Sequence, residues 1–163
     1  MIKKAVLLTL LMTVFVYGCG YKMAVTGTKA AFKIYPASIE NVSKEANIDH
    51  LFENEVKSYF SSINALAPQS TADYVGYVTL TGVSSSAAVK LTSGQTATFD
   101  LYATLNITVK DKAGNEIFVK SLGSSVTYNQ TSSLSASVSN RNDAIKRAVR
   151  DALETFRYEF ENR

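Results

Sequence analysis

The sequence predicts an α+β domain: two helices on one face of a four-stranded, mostly antiparallel sheet, in the order β-α-β-β-β-α. Two observations carry this. Apolar residues recur at three- and four-residue steps in two segments, Ile48 to Leu66 and Asn142 to Phe160, as in helices with one buried face. Between them, Thr96 to Lys110 alternates strictly, as in a strand with one covered and one wetter face. Two amphipathic helices and one half-apolar sheet can bury their apolar surfaces only against each other, as a two-layer sandwich.

The elements follow in order. Lys29 to Pro36 alternates Ala30, Phe32 and Ile34 against Ala31, Lys33 and Tyr35, and reads as a first strand ended by Pro36. Ile48, Leu51, Phe52, Val56, Tyr59, Phe60 and Ile63 make the stripe of the first helix. Asn47 is its expected N-cap, Asp49 favours the positive dipole end, and Pro68 stops it. Asp73 to Lys90 is the second strand. In the third, Phe99, Leu101, Ala103, Leu105, Ile107 and Val109 share one face, with Asp100, Tyr102, Thr104, Asn106, Thr108 and Lys110 on the other. Thr92-Ser93-Gly94-Gln95 between these strands predicts a long hairpin with a projecting tip.

Asp111 to Asn115 is a second hairpin turn, in which Gly114 supplies a positive φ. Glu116 to Tyr128 is the fourth strand; its phase slips across Ser121 to Ser125, which predicts a bulge. Asn129 to Asn140 is polar and Ser-rich and is expected to be a mobile loop. Ile145, Ala148, Val149, Ala152, Leu153, Phe156 and Phe160 form the stripe of the second helix, with Asn140 or Asn142 as its cap. The opposite sheet face, with Tyr77, Tyr102, Thr and Asn, is semi-polar: a solvated face or one suited to a protein or ligand contact.

Composition narrows the function classes. The chain has 163 residues, 46% hydrophobic and 19% charged, which suits one folded domain. A net charge of +3 is too small to suggest a nucleic-acid binder. With one His and one Cys, a His-rich metal site or an intrachain disulfide is excluded. His50 reads as a boundary residue of the first helix. No phosphate-binding Gly loop, nucleophile elbow or metal-ligating cluster occurs, and no pair of carboxylates presents a general acid and base. Neither an enzyme nor a cofactor or metal is expected.

Residues 1–18 read as a targeting segment. Lys3 and Lys4 precede an apolar run from Ala5 to Tyr17, too short to span a bilayer, which needs about 20 residues. The run ends in Val16-Tyr17-Gly18-Cys19. In this the chain resembles bacterial lipoprotein precursors, whose cleavage leaves an acylated Cys at the new N-terminus. The resemblance implies lipidation at Cys19, a linker over 19–28 and a single domain over 29–163. Gly20 follows the Cys, where inner-membrane lipoproteins often carry Asp, so an outer-membrane address is implied.

Among basic residues, Lys90 lies near the hairpin tip, and Arg141, Lys146 and Arg147 cluster at the start of the second helix. They are candidates for contact with an anionic lipid, since Arg and Lys pair with phosphate, or form a solvated face interleaved with Asp143 and Asp151. Ser93 and Gly94 at the tip, and Ser133 in the Ser-rich segment, are the candidate partner contacts because they are polar and projecting.

The whole chain resembles the LptE family of lipopolysaccharide-assembly lipoproteins. Four features carry the resemblance: Cys19-Gly20-Tyr21, Phe32 to Tyr35, Val109 to Asn115, and Asp143 to Val149. It implies an outer-membrane lipoprotein, on the periplasmic face, that plugs the LptD β-barrel, helps it assemble and assists delivery of lipopolysaccharide to the surface. The competing expectation is an accessory lipoprotein of another envelope machine, such as a lipid-transport ABC system or a cell-wall synthase.

Overall fold

The computed structural model describes residues 29–89 and 97–163. Its elements are β1 (Ile34–Asn41), α1 (Asp49–Ser62), β2 (Tyr74–Val89), β3 (Ala97–Lys110), β4 (Glu116–Gln130) and α2 (Leu134–Glu161). The sheet order is β1-β2-β3-β4, with β1 parallel to β2 and the other pairs antiparallel. A parallel neighbour needs a crossover, and α1 supplies it. The fold is the expected β-α-β-β-β-α arrangement.

The strict alternation of β3 becomes burial. Leu101, Ala103, Leu105, Ile107 and Val109 are enclosed beneath the helices, while Tyr102 on the other face is half exposed. Phe52, Val56, Tyr59 and Phe60 of α1 and Ile145, Val149, Leu153 and Phe156 of α2 close the same core. Gly76 of β2 makes room there: a Cβ on it would lie 2.7 Å from Cδ1 of the buried Ile34, which would have to shift. Among the described residues Tyr59 is an uneven fit, its buried hydroxyl lying near the Glu154 carboxylate without a well-formed hydrogen bond. Burial, and then the Glu154 carboxylate, push its phenol pKa above the usual value.

Five expectations are corrected. β1 starts later than Lys29 and runs through Pro36 to Asn41. An edge strand tolerates the missing N–H, and the register shifts between Pro36 and Ser38. Asn47 does not cap α1: it takes a left-handed φ of 62°, and the cap position is Ile48, without a side-chain bond. No bulge interrupts Ser121 to Ser125, where pairing with Tyr102 to Asn106 is continuous. The irregularity falls instead between Val109 and Lys110. The apparent slip arises because Lys120 takes an inward position and reaches Glu159 of α2 at 2.7 Å, while Val119 points out. The Ser-rich segment is not a loop over Asn129 to Asn140: β4 continues to Gln130 and α2 begins at Leu134. The cap of α2 is therefore Ser133, which accepts from the Ala136 N–H, rather than Asn140 or Asn142.

The β3–β4 turn is held by Asp111, whose Oδ1 accepts from the N–H groups of Ala113 and Asn115 and whose Oδ2 accepts from Asn115 Nδ2. Gly114 takes the positive φ, 89°.

Gly76→Ala is expected to destabilise the domain by about 1–3 kcal/mol through overpacking. Ile34→Val, which removes Cδ1, should recover part of that loss in the Gly76→Ala background; equilibrium denaturation of the two single variants and the double variant checks it. The Asn115 side chain first, then backbone N–H groups, hold the Asp111 carboxyl below its usual pKa. A depressed folded-state pKa contributes stability that is present above the unfolded value, about 3.9, and is lost as pH falls through the folded one. Asp111→Asn should therefore show a shallower loss of stability with acid below about pH 4, read from denaturation midpoints at several pH values.

Candidate functional site

One group of polar residues converges where β4 ends and α2 begins. The first turns of α2 lie along the last residues of β4, because three side chains on the helix reach that strand's free edge. Ser137 Oγ donates to Thr131 O at 2.9 Å and accepts from Thr131 N–H. Asn140 Nδ2 donates to Asn129 O at 2.8 Å. Arg147 Nη2 donates to Thr127 O at 3.0 Å. Beside these bonds opens a shallow cleft lined by Thr127, Tyr128, Asn129, Asn140, Asp143 and Arg147. Tyr128 forms its aromatic wall and stacks on Phe99 of β3, centroids 5.5 Å apart. Such a lining offers donors, acceptors and one guanidinium to a polar ligand, with no nucleophile–base pair.

The basic cluster divides. Arg147 faces the cleft, and Lys146 pairs with Asp143 at 3.2 Å. Arg141 grips Glu45 of the β1–α1 segment with both terminal guanidinium nitrogens, close beside Tyr128. The Glu45 hydrogen bond holds its pKa above the usual value, against partial burial. Arg150 similarly reaches Glu55 of α1, Nη2 to Oε1 2.6 Å. These two pairs tie α2 to the crossover. Because α2 starts at Leu134, Arg141 is two turns inside the helix and does not oppose its dipole.

Ser133, the cap of α2, is exposed at the same end. Leu134 and Val138, one turn apart, are also exposed, at 80% and 51%. Cys19, Lys90, Ser93 and Gly94 lie outside the described residues. Sequence reasoning did not single out Asn129 or Glu45, and it read Asn140 only as a helix cap. Their roles depend on strand and helix ends meeting, and Glu45 lies 96 positions from Arg141. His50 is exposed on α1.

On the outer sheet face Tyr102 lies across Gly123, where a Cβ would come within 2.0 Å of its hydroxyl oxygen. Lys110 sits 5.5 Å from the Tyr77 ring centre. The face is thus aromatic and polar together. Among the described residues there is no group of His, Cys, Asp and Glu able to hold a metal, and no helix long and apolar enough to cross a membrane.

Comparison with known proteins bears on this scaffold. The family model for LptE, lipopolysaccharide-assembly, matches residues 33–158. No curated protein matches the sequence. Among solved structures, one of a Caulobacter crescentus protein titled a lipoprotein is similar at 19% identity and TM-score 0.54, over 76% of this chain and 88% of that one. A hypothetical protein of Chlamydia trachomatis is similar at 12% identity and TM-score 0.50, over 78% and 96%. The rare lipoprotein B of Shewanella oneidensis aligns at 13% identity and TM-score 0.46, over 80% and 98%. At such identities the first two likenesses speak to the fold alone.

The Glu45–Arg141 pair is expected to show a coupling energy of about 1 kcal/mol in a double-mutant cycle of Glu45→Gln and Arg141→Gln, the upper end for exposed pairs, because both groups are partly enclosed. Repeating the cycle at about 1 M salt should reduce the coupling.

Proposed function

The chain belongs to the LptE family of lipopolysaccharide-assembly proteins, and from that premise we propose that it is an outer-membrane lipoprotein that plugs an LptD-type β-barrel, helps it assemble and assists lipopolysaccharide to the cell surface. The observation that carries the reading is the family match over 33–158, which takes in all four strands and nearly all of α2. The surface supports it. A domain inside a large barrel meets a polar lumen, and the outer sheet face of Tyr77, Tyr102, Asn106 and Thr108 offers aromatic area with hydrogen-bonding tips. The family's role is assembly rather than catalysis, and we extend this to the chain: it acts as a non-enzymatic binding partner without a cofactor.

In this proposal residues 1–18 are removed, Cys19 carries the lipid, and 19–28 is a tether. Two acyl chains suffice for stable anchoring at roughly 0.8 kcal/mol per buried CH₂. Ser93, Gly94 and Ser133 face the barrel. Lys146, Arg147 and Lys90 meet anionic headgroups, while Arg141, gripped by Glu45, serves by holding α2 in place.

A C-terminally tagged protein extracted from outer membranes in mild detergent should recover a stoichiometric large β-barrel, identified by mass spectrometry. Recovery of an inner-membrane transporter or a cell-wall synthase in its place overturns the plug reading. Cys19→Ala should stay folded and leave the membrane fraction; a variant still found in the membrane overturns the lipid anchor.

A further inference from the structure

The sheet treats its two edges differently at the end that carries the cleft. On the β4 side, the outward groups of Thr127, Asn129 and Thr131 are taken up by Arg147, Asn140 and Ser137 of α2. On the β2 side, β1 stops early. Its last ladder partner is Asn41 opposite Leu80, followed by one bond from Val42 N–H to Leu80 O at 2.9 Å. β2 runs on, paired with β3 as far as Val89 opposite Thr98. Among the described residues nothing hydrogen-bonds to the other edge of Gly82 to Ala87.

Free strand edges are ordinarily blunted by charge, by proline or by a covering element. Tyr74 to Val89 holds no charged residue and no proline. Register shifts between Leu80 and Gly82 and between Ala87 and Val89 bracket the bare stretch, but within it Gly82 to Ala87 pairs regularly opposite Thr104 to Phe99. Ser84, Ser85, Ser86 and Ala87 are exposed and small, so another backbone can come close. Six residues present about 20 Å of alternating N–H and C=O groups.

We propose that the Gly82–Ala87 edge of β2 takes up an extended, uncharged strand of the protein partner, lengthening the sheet by one strand. Only an extended backbone satisfies such a row of groups, and main-chain bonding gives affinity with little demand on side chains. Neutral, small side chains on this edge favour a neutral segment opposite. A second copy fits less well: six paired residues per chain cover far less than the roughly 1,000 Å² a stable dimer needs. A partner that already holds the domain on other surfaces adds the strand at high effective concentration. The inference rests on the barrel reading for the identity of that partner.

The test uses the full chain in its native membrane. A photo-crosslinking amino acid at Ser84 or Ser86 should join the chain to the barrel that the tagged wild-type protein recovers. The double variant Ser84→Lys/Ser86→Lys, which places two charges on the edge, should lower barrel recovery on the order of tenfold, about 1.4 kcal/mol, with its thermal melt unchanged. If that variant is misfolded, the crosslink alone decides. Full barrel recovery by the folded double variant, or no crosslink at either position while the wild type recovers the barrel, overturns strand addition and leaves the plug reading intact. A crosslinked dimer of this chain overturns it in favour of self-pairing. Failure of the wild-type protein to recover any barrel overturns the plug reading itself, and this inference with it.

Discussion

Phe156 closes the two layers on each other. It is fully buried, and its ring meets Phe118 of β4 at 5.2 Å, Phe160 of its own helix at 5.4 Å, Phe32 ahead of β1 at 6.1 Å and Phe60 of α1 at 6.2 Å. Three of these contacts are edge-to-face, the arrangement in which aromatic pairs add about 0.5–1.5 kcal/mol beyond burial. The path of α2 follows from this anchor. With its C-terminal third packed among rings from three other segments, the rest of the helix runs along β4. That course brings Ser137, Asn140 and Arg147 to the strand's edge, where their bonds fix the first turns of the helix beside the cleft.

Most of the fold was legible because its signals are periodic. Of the inward residues of β3, Leu101 to Val109 appear as core while Phe99 at the strand's start does not, and the stripes of both helices are core except for the partly buried Leu51. The boundaries were less legible, and each miss has a tertiary cause. Pro36 reads as a stop only if its N–H would be needed, which is not so on an edge. Ser and Asn are poor helix formers, so Leu134 to Asn140 reads as loop from propensity. The same hydroxyl and amide groups become helical once Thr131 and Asn129 offer them partners across the strand edge. Lys120 disguised the phase of β4 because a long side chain can occupy an inward position while its ammonium reaches a carboxylate at the rim.

The site was legible in a different proportion. Composition and missing motifs pointed away from catalysis, and the polar character of the Ser133 region was visible. The division of the basic cluster was not. Arg141, Lys146 and Arg147 look alike in sequence, yet one is gripped by Glu45, one pairs within its own helix, and one caps a strand carbonyl. Those fates depend on which carboxylate or carbonyl the fold delivers. Nor could the bare edge of β2 be foreseen, since it depends on where β1 ends relative to its neighbour.

The polarity of the domain follows from the same geometry. The described chain enters beside the C-terminal end of α2, where Ala31 N–H donates to Glu161 Oε1 at 3.0 Å. The cleft, the exposed Leu134 and Val138, and the open edge of β2 all sit at the other end of the helix. A helix of 28 residues is about 42 Å long. That length separates the two ends, so whatever the cleft and the open edge bind is met well away from the point where the described chain enters. Among the described residues, the open edge of β2 and the polar cleft are bonding capacity left over, and both lie at the end of α2 opposite the entry of the described chain.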